Sequence, residues 1–405
     1  MRRHIGLKEM QQMSKIGRVD SVSVRHQPAQ RHVDITVSTD FASCRREWLT
    51  LQDRAITTVF QTYEWLEAWQ SHVGQHNTVQ PIIVIGKHLD GRTMFILPFG
   101  LVIKNHCRIL TWLSHPHNNY GYGVFDKSFL QDCPGEFSTI WRKIRTVLPK
   151  VDAIVLHNQP AHGGGFENPF TQLATCPSAD SSYILALTDS MEDLQTRKFS
   201  SRSRRRLRQQ ERELDGLGSW QIVEARSDAE ITRAASATFA QKQTQLTNRG
   251  IANPFDQPFK DFFQRFASAR YGISRALRCY YLELDGEIIA TNFGAVHAGT
   301  YYGLITSMAD GPLKRLSPGS MVMRYAIERS CEDGVRIFDF SAGSSQYKTR
   351  WADSELSLFE TLIPLSAKGR VYCMAEWLHI TVKRRVKHSP FLWSRIKKLR
   401  ALFRR

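Results

Sequence analysis

The sequence predicts an α/β protein with mixed central sheets, and three observations carry that reading. An apolar share of 42% beside a charged share of 23% is that of a globular chain, and 405 residues leave room for about two domains. The stretch 277–351 reads in order as strand, strand, strand, helix, strand and polar loop. The same order occurs once before, around Leu89-Asp90-Gly91-Arg92, so the chain reads as two related units over 35–187 and 188–370. Asp-Gly hairpins are common, which leaves a second reading of two unrelated hairpins.

Residues 1–34 are polar and basic without a hydrophobic period, which predicts a disordered arm and shows no signal-peptide pattern. A strand over 33–37 opens the first unit. Phe60, Trp65, Leu66 and Trp69 recur at helical intervals and predict a helix whose aromatic face is core. Strands over 82–86 and 94–103 flank the first Asp-Gly turn, where both residues tolerate positive φ and so close a hairpin. A strand over 108–113, a loop over 115–123, a helix over 135–148 and a strand over 151–157 complete the unit. The triple glycine at 163–165 lacks the strand-to-helix setting of a phosphate loop and reads as a plain connection. A strand over 183–187 crosses to the second unit.

The second unit begins with a basic helix over 197–217, whose apolar stripe is Phe199, Leu207, Leu214 and Leu217. Helices over 228–243 and 256–271 follow. Strands over 279–284 and 288–296 flank Asp285-Gly286, and a third covers 301–306. Leu316-Ser317-Pro318-Gly319-Ser320 reads as a helix start, Gly334 as its stop, and 335–340 as a short buried strand. That strand releases the polar loop 341–348, in the position where α/β sheets place ligands.

The net charge of +17 is concentrated in two places. Residues 197–213 carry a net +6 and residues 368–405 a net +11, so the remainder is formally neutral. The first segment reads as a solvated face between the units. In the second, Leu392, Ile396, Leu399 and Phe403 lie on one helical face among Arg395, Lys397, Lys398, Arg400 and Arg404. The segment 371–405 therefore predicts a basic amphipathic helix and tail suited to an anionic membrane surface, with packing on the protein itself as the alternative. No nucleic-acid module is recognisable, so no specific nucleic acid is expected. No run approaches the ~18 apolar residues that span a bilayer. Seven scattered cysteines, never spaced Cys-x-x-Cys, predict reduced thiols in a cytoplasmic protein.

Phosphate-loop, zinc-protease, serine-hydrolase and dinucleotide motifs are all missing. His115 and His117 have ligand-like spacing but no Cys or carboxylate beside them in sequence, so no metal is expected. Two local constellations remain. Lys314 and Arg315 precede the helix start at Ser317, Gly319 and Ser320, where unpaired N–H groups and cations would favour a phosphate; a simple capped helix is the other reading. Asp339 precedes Tyr347, Lys348 and Arg350 in the loop. The carboxylate can orient an attacking amine, the phenol can protonate a leaving thiolate, and the lysine can hold an anionic group. An ordinary Asp339–Lys348 ion pair is the alternative.

Phe338-Asp339-Phe340-Ser341-Ala342-Gly343, then Tyr347-Lys348-Thr349-Arg350-Trp351, after Ser317-Pro318-Gly319 at a helix head, resembles the bacterial acetyltransferases associated with cellulose biosynthesis. That family lies in the GNAT superfamily and is related to the Fem-type peptidyltransferases. The 60–69 helix and the basic run Arg204-Arg205-Arg206-Leu207-Arg208 are similar to the same family's first helix and inter-domain helix. The resemblance covers about 35–367. It implies tandem GNAT-like domains and direct acyl transfer from a thioester, usually acetyl-CoA, to an amine or hydroxyl. Arg315-Leu316-Ser317-Pro318-Gly319 only approximates the GNAT pyrophosphate loop, and Asn118-Asn119-Tyr120 stands where relatives carry Asp before Tyr.

The resulting expectation is an acyl-CoA-dependent acyltransferase. Asp339, Tyr347 and Lys348 take the catalytic roles. Lys314, Arg315, Ser317, Gly319 and Ser320 lie on the donor side, and Asn118, Asn119, Tyr120 and Arg350 on the acceptor side. A non-catalytic module docking into a polysaccharide-synthesis complex is the alternative.

Overall fold

The computed structural model describes residues 33–132, 135–188, 190–251, 253–267, 276–343 and 345–389. The expected disordered arm up to residue 32 and the amphipathic face at 392–403 lie outside the described residues.

The first half runs β1 (Asp34–Ser38), α1 (Phe41–Gln52), β2 (Ala55–Ile56), α2 (Tyr63–Trp69), β3 (Gln80–Lys87), β4 (Thr93–Lys104), β5 (Cys107–Trp112), β6 (Val124–Asp126), α3 (Lys127–Asp132), α4 (Phe137–Val147) and β7 (Ala153–Pro160). A small hairpin, β8 (His162–Gly163) and β9 (Phe166–Glu167), turns at Gly164 and Gly165, both with positive φ. This gives the triple glycine a turn role without a phosphate site. Then come β10 (Thr175–Ala186), α5 (Met191–Lys198), α6 (Ser201–Asp215), β11 (Trp220–Glu224), α7 (Asp228–Thr247) and α8 (Gln257–Ala267). The second half closes with β12 (Leu277–Leu284), β13 (Glu287–His297), β14 (Thr300–Met308), α9 (Pro318–Glu332), β15 (Ile337–Ala342), α10 (Gln346–Trp351), β16 (Ser354–Pro364) and α11 (Ala367–His388).

The expected repetition is present as topology. In each half a hairpin turns at Asp-Gly (β3–β4, β12–β13), a third strand follows, and a helix returns the chain to a strand parallel to that third one. The parallel pairs are short, at Ile109↔Ala153 and Leu110↔Ile154 in one half and Thr300↔Ile337 to Tyr302↔Asp339 in the other. The halves then exchange strands. β10 follows β7 in the chain yet pairs with β15, while β16 follows β15 yet pairs with β7. β10 and β16 pair with each other, so one 14-stranded mixed sheet runs through the molecule.

Packing joins the halves as well. Trp65 of α2 meets Phe262 and Phe266 of α8 edge-on at 5.0 and 4.8 Å, within a core that also takes Phe60, Trp69, Phe293 and Tyr302. Burying several aromatic rings against each other is the largest single packing contribution available to side chains. The opposite face is covered by α4 in the first half and by α9 in the second.

Two expectations change here. The basic helix over 197–217 is broken: Phe199 is extended and buried against Trp351, and Ser200 caps α6 by accepting from the Ser203 N–H. The loop over 341–348 ends in the short helix α10 rather than running on as coil.

Candidate functional site

Beyond the Tyr302↔Asp339 pair β14 and β15 no longer pair; two cavities of about 470 and 210 Å³ lie along this opening, and a third of about 580 Å³ adjoins the first. The widest lies between α6 and α9, lined by Arg206, Gln210, Ser317, Ser320 and Arg324, with Tyr347, Arg350 and Trp351 across from them. The next shares Ser320, Tyr347 and Trp351 with it and adds Gly319, Lys242, Arg249 and Lys348. The narrowest shares Lys242, Tyr347 and Lys348 and ends at Asn119, Phe255 and Phe340. The three form a continuous cleft with Tyr347 on the wall of each.

The start of α9 opens onto the cleft. Pro318 occupies its first turn, and the Ser317 hydroxyl makes no cap hydrogen bond to the helix. Ser317 adopts a left-handed backbone at φ 56°, and the Gln210 amide reaches the Arg315 carbonyl at 3.3 Å and steadies that turn. Pro318 has no N–H and the Ser320 and Met321 N–H groups bond the Ser317 carbonyl at 2.8 and 3.4 Å, which leaves the Gly319 N–H and the positive end of the helix dipole to favour an anion.

Asp339 lies behind the cleft wall, not on it. Its carboxylate is enclosed and accepts from the Ser341 N–H at 2.7 Å and the Ser182 hydroxyl at 3.0 Å. The Tyr120 hydroxyl lies 2.8 and 2.7 Å from its two oxygens. Burial pushes the Asp339 carboxyl up, and these hydrogen bonds and the Lys348 charge pull it partly back. Tyr120, expected to touch substrate, is thus a fully buried strut between the halves. The nearby Asn118 is buried too, its amide donating to the Tyr120 carbonyl at 3.0 Å. Asn119 alone of this trio lines the cleft.

Lys348 does not form the alternative ion pair with Asp339. Its ammonium donates to the carbonyls of Ser341 and Ala342, at 2.9 and 3.0 Å, and burial lowers its pKa to about 8. Burial raises the Tyr347 phenol, which keeps it protonated at neutral pH. Arg350 lies over the Phe199 ring at 4.8 Å on the wall of the widest cavity.

On the donor side the structure keeps Ser317, Gly319 and Ser320 on the cleft but turns the two expected cations elsewhere. Lys314 pairs with Asp310 at 3.1 Å and Arg315 with Glu213 at 2.6 Å, and neither lines the cavities. Arg206 and Arg324 line the cavity instead, Arg324 while paired with Glu211 of α6. Arg324 was legible in principle, because Ser317, Ser320 and Arg324 recur at helical spacing on one face. Lys242 carries no comparable signal, being one polar residue among many on a long helix.

Two other expectations can be placed. His117 accepts a hydrogen bond from the Trp69 indole at 3.1 Å and His115 stacks on His157 with centroids 4.4 Å apart. Among the described residues no group of three His, Cys, Asp or Glu is placed to hold a metal. The six described cysteines are free thiols.

The opening between two parallel strands beside a helix start, on a tandem mixed sheet, is shared with proteins of GNAT/Fem-like fold. Residues 201–349 match the acetyltransferase (GNAT) domain family, a span that holds most of the cleft lining but not Asn119, Phe199, Arg350 or Trp351. The crystal structure of FemX superposes over 80% of this chain and 96% of that one, with a TM-score of 0.52 at 8% identity, a likeness of fold. L-PGS from Bacillus licheniformis matches over 78% of this chain and 96% of that one (TM-score 0.44, 12% identity). A tandem GNAT protein from the clavulanic acid biosynthesis pathway matches over 82% and 99% (TM-score 0.39, 10% identity). No curated protein matches the chain in sequence.

Proposed function

We propose that this protein is a cytoplasmic acyltransferase that moves an acetyl or other acyl group from a CoA thioester to an amine or hydroxyl, with an amino sugar or polysaccharide precursor as acceptor. One observation carries the reading: a single cleft runs from the start of α9, past Tyr347, to a narrow end at Asn119 and Phe340. The donor's phosphates suit the wide end, with Arg206, Arg324 and the uncapped helix. The thioester then falls beside Tyr347, and the acceptor enters from the narrow end. The resemblance to the cellulose-associated acetyltransferases supports the sugar acceptor.

In this reaction the acceptor nitrogen or oxygen bonds to the thioester carbonyl carbon and the C–S bond breaks. The departing thiolate takes a proton from the Tyr347 hydroxyl, and the proton released by the acceptor restores the phenol. Backbone N–H groups on the opened edge of β14 are available to the developing oxyanion. Most of the rate gain comes from holding both reactants in one closed geometry.

Thiol release from acetyl-CoA, followed over a panel of amines and amino sugars, tests this. Release with at least one acceptor is expected. One feature favours the alternative of a non-catalytic module in a polysaccharide-synthesis complex: among the described residues no Asp, Glu or His lines the cleft to take the acceptor's proton. CoA binding without thiol release for any acceptor would establish that alternative.

The C-terminal region is assigned a peripheral contact with an anionic membrane surface. On α11, Val371, Met374, Leu378 and Val382 form an outward stripe 72, 70, 56 and 51% exposed, with Arg370, Arg384 and Arg385 exposed alongside. Apolar stripes edged by cations suit such a surface. No helix among the described residues is long and apolar enough to cross a membrane.

A further inference from the structure

We propose that the acceptor carries an oxyanion, a phosphate or a carboxylate, near its reacting amine or hydroxyl, and that Lys242 and Lys348 hold it. This rests on the acyl-transfer reading and adds the charge of the substrate. Lys242 stands on α7 and Lys348 on α10, and both line the 470 and 210 Å³ cavities. Arg249, just past the end of α7, lines the first of these as well. No Asp or Glu among the described residues lines either cavity.

The carboxylates within electrostatic reach of Lys348 are already occupied. Asp339 is saturated by Tyr120, Ser182 and Ser341, and Asp180 pairs with Lys383 and Lys387 on α11. Lys242 makes no hydrogen bond or ion pair with any described residue. Its neighbours do: Gln241 donates to the Ile288 carbonyl at 2.8 Å, and Gln245 to that of Met308 at 2.7 Å. A cation drawn out of water without a partner is costly, and the cost disappears when an anion arrives. Burial brings the Lys242 ammonium down to about 8, with the Arg249 charge adding to the effect, and Lys242 in turn depresses Lys348.

The position selects acceptor over donor. The phosphates of CoA have their own cations, Arg206 and Arg324, at the other end of the cleft. The smallest cavity, which holds the two lysines, is walled by Phe255, Leu304 and Phe340 together with Asn119, Thr306 and Ser341, and at about 210 Å³ it leaves less room for a nucleotide phosphate than the wide end does. A charged group there is held by lysines on two facing helices, which fixes the reacting atom relative to Tyr347.

Calorimetry on the full chain saturated with CoA tests the proposal, with inorganic phosphate and acetate as separate probes. At least one should bind, at least tenfold more weakly to Lys242→Met and within twofold of wild type to Lys242→Arg, while the Kd for CoA stays unchanged. Phosphate favoured over acetate identifies a phosphorylated acceptor, and the reverse a carboxylated one. If neither anion binds the CoA complex, or Lys242→Met binds both as wild type does, the proposal is wrong while the acyl-transfer reading stands. Failure of CoA itself to bind would instead remove the acyl-transfer reading.

Discussion

Replacing Tyr120 by Phe removes one hydroxyl and nothing else, and the structure makes its cost depend on pH. The phenol carries one proton; the Asp339 oxygens lie 2.8 and 2.7 Å away, and the Ser182 hydroxyl, which donates its own proton to Asp339, also touches the phenol oxygen, so the Tyr120 proton goes to Asp339. Both groups are shut off from water, so solvent cannot replace the lost donor. A hydrogen bond to a charged group is worth about 1.5–3 kcal/mol, and one between neutral groups about 0.5–1.5 kcal/mol. Asp339 has a raised folded pKa, so its ionisation works against folding as pH climbs from the unfolded value of the carboxyl through the folded one. The Tyr120 hydroxyl limits that loss by stabilising the ionised form. Without it the folded pKa rises further, so the variant loses most at neutral pH and least once Asp339 is protonated in both states. Urea unfolding of wild type and Tyr120→Phe at pH 7.5, and at steps downward from it, should show a difference of about 1.5–3 kcal/mol at the top that falls by roughly half as pH drops. A difference that stays constant with pH, or lies below about 0.5 kcal/mol at pH 7.5, would refute the assignment of this hydroxyl to an ionised Asp339.

Three further outcomes are expected. Tyr347→Phe should lower turnover by about 10²–10⁴-fold, the range for loss of a general acid, with the Kd for CoA nearly unchanged; an equal loss in both would move Tyr347 to donor binding. Arg206→Ala and Arg324→Ala should each weaken CoA binding by about tenfold, as loss of a charge-assisted hydrogen bond does, whereas Lys314→Ala should leave it within about twofold because Lys314 does not line the cleft. Calorimetry that ranks Lys314 above the two arginines would restore the sequence-based placement. The intact chain should co-sediment with vesicles rich in anionic lipid, reversibly with salt, and a chain ending at His388 should do so less; identical sedimentation of the two would exclude the tail as an anchor.

The sequence alone determined what depends on neighbours in the chain. Asp90-Gly91 and Asp285-Gly286 are turns wherever they fold, because positive φ is a local preference, and Gly91, Asp285 and Gly286 indeed have it. Ser317-Pro318-Gly319 begins a helix for the same kind of reason, and the cleft residues Tyr347 and Lys348 follow from the polar segment at the end of β15. What needed the tertiary structure were choices among partners distant in sequence. Nothing near Asp339 says that Tyr120, 219 positions away, will bond to it. That contact exists because β10 and β16 change places between the halves, a pairing set by the packed sheet and not by any local signal. The donor cations were misplaced for a related reason. Lys314 and Arg315 sit beside the helix start in sequence, but a long side chain goes to the nearest unpaired carboxylate, and Asp310 and Glu213 were there to take them. Arg206 reaches the cleft from α6 and Arg324 from the second turn of α9, and Lys242 matters only because α7 folds over a cavity that holds no acid among the described residues.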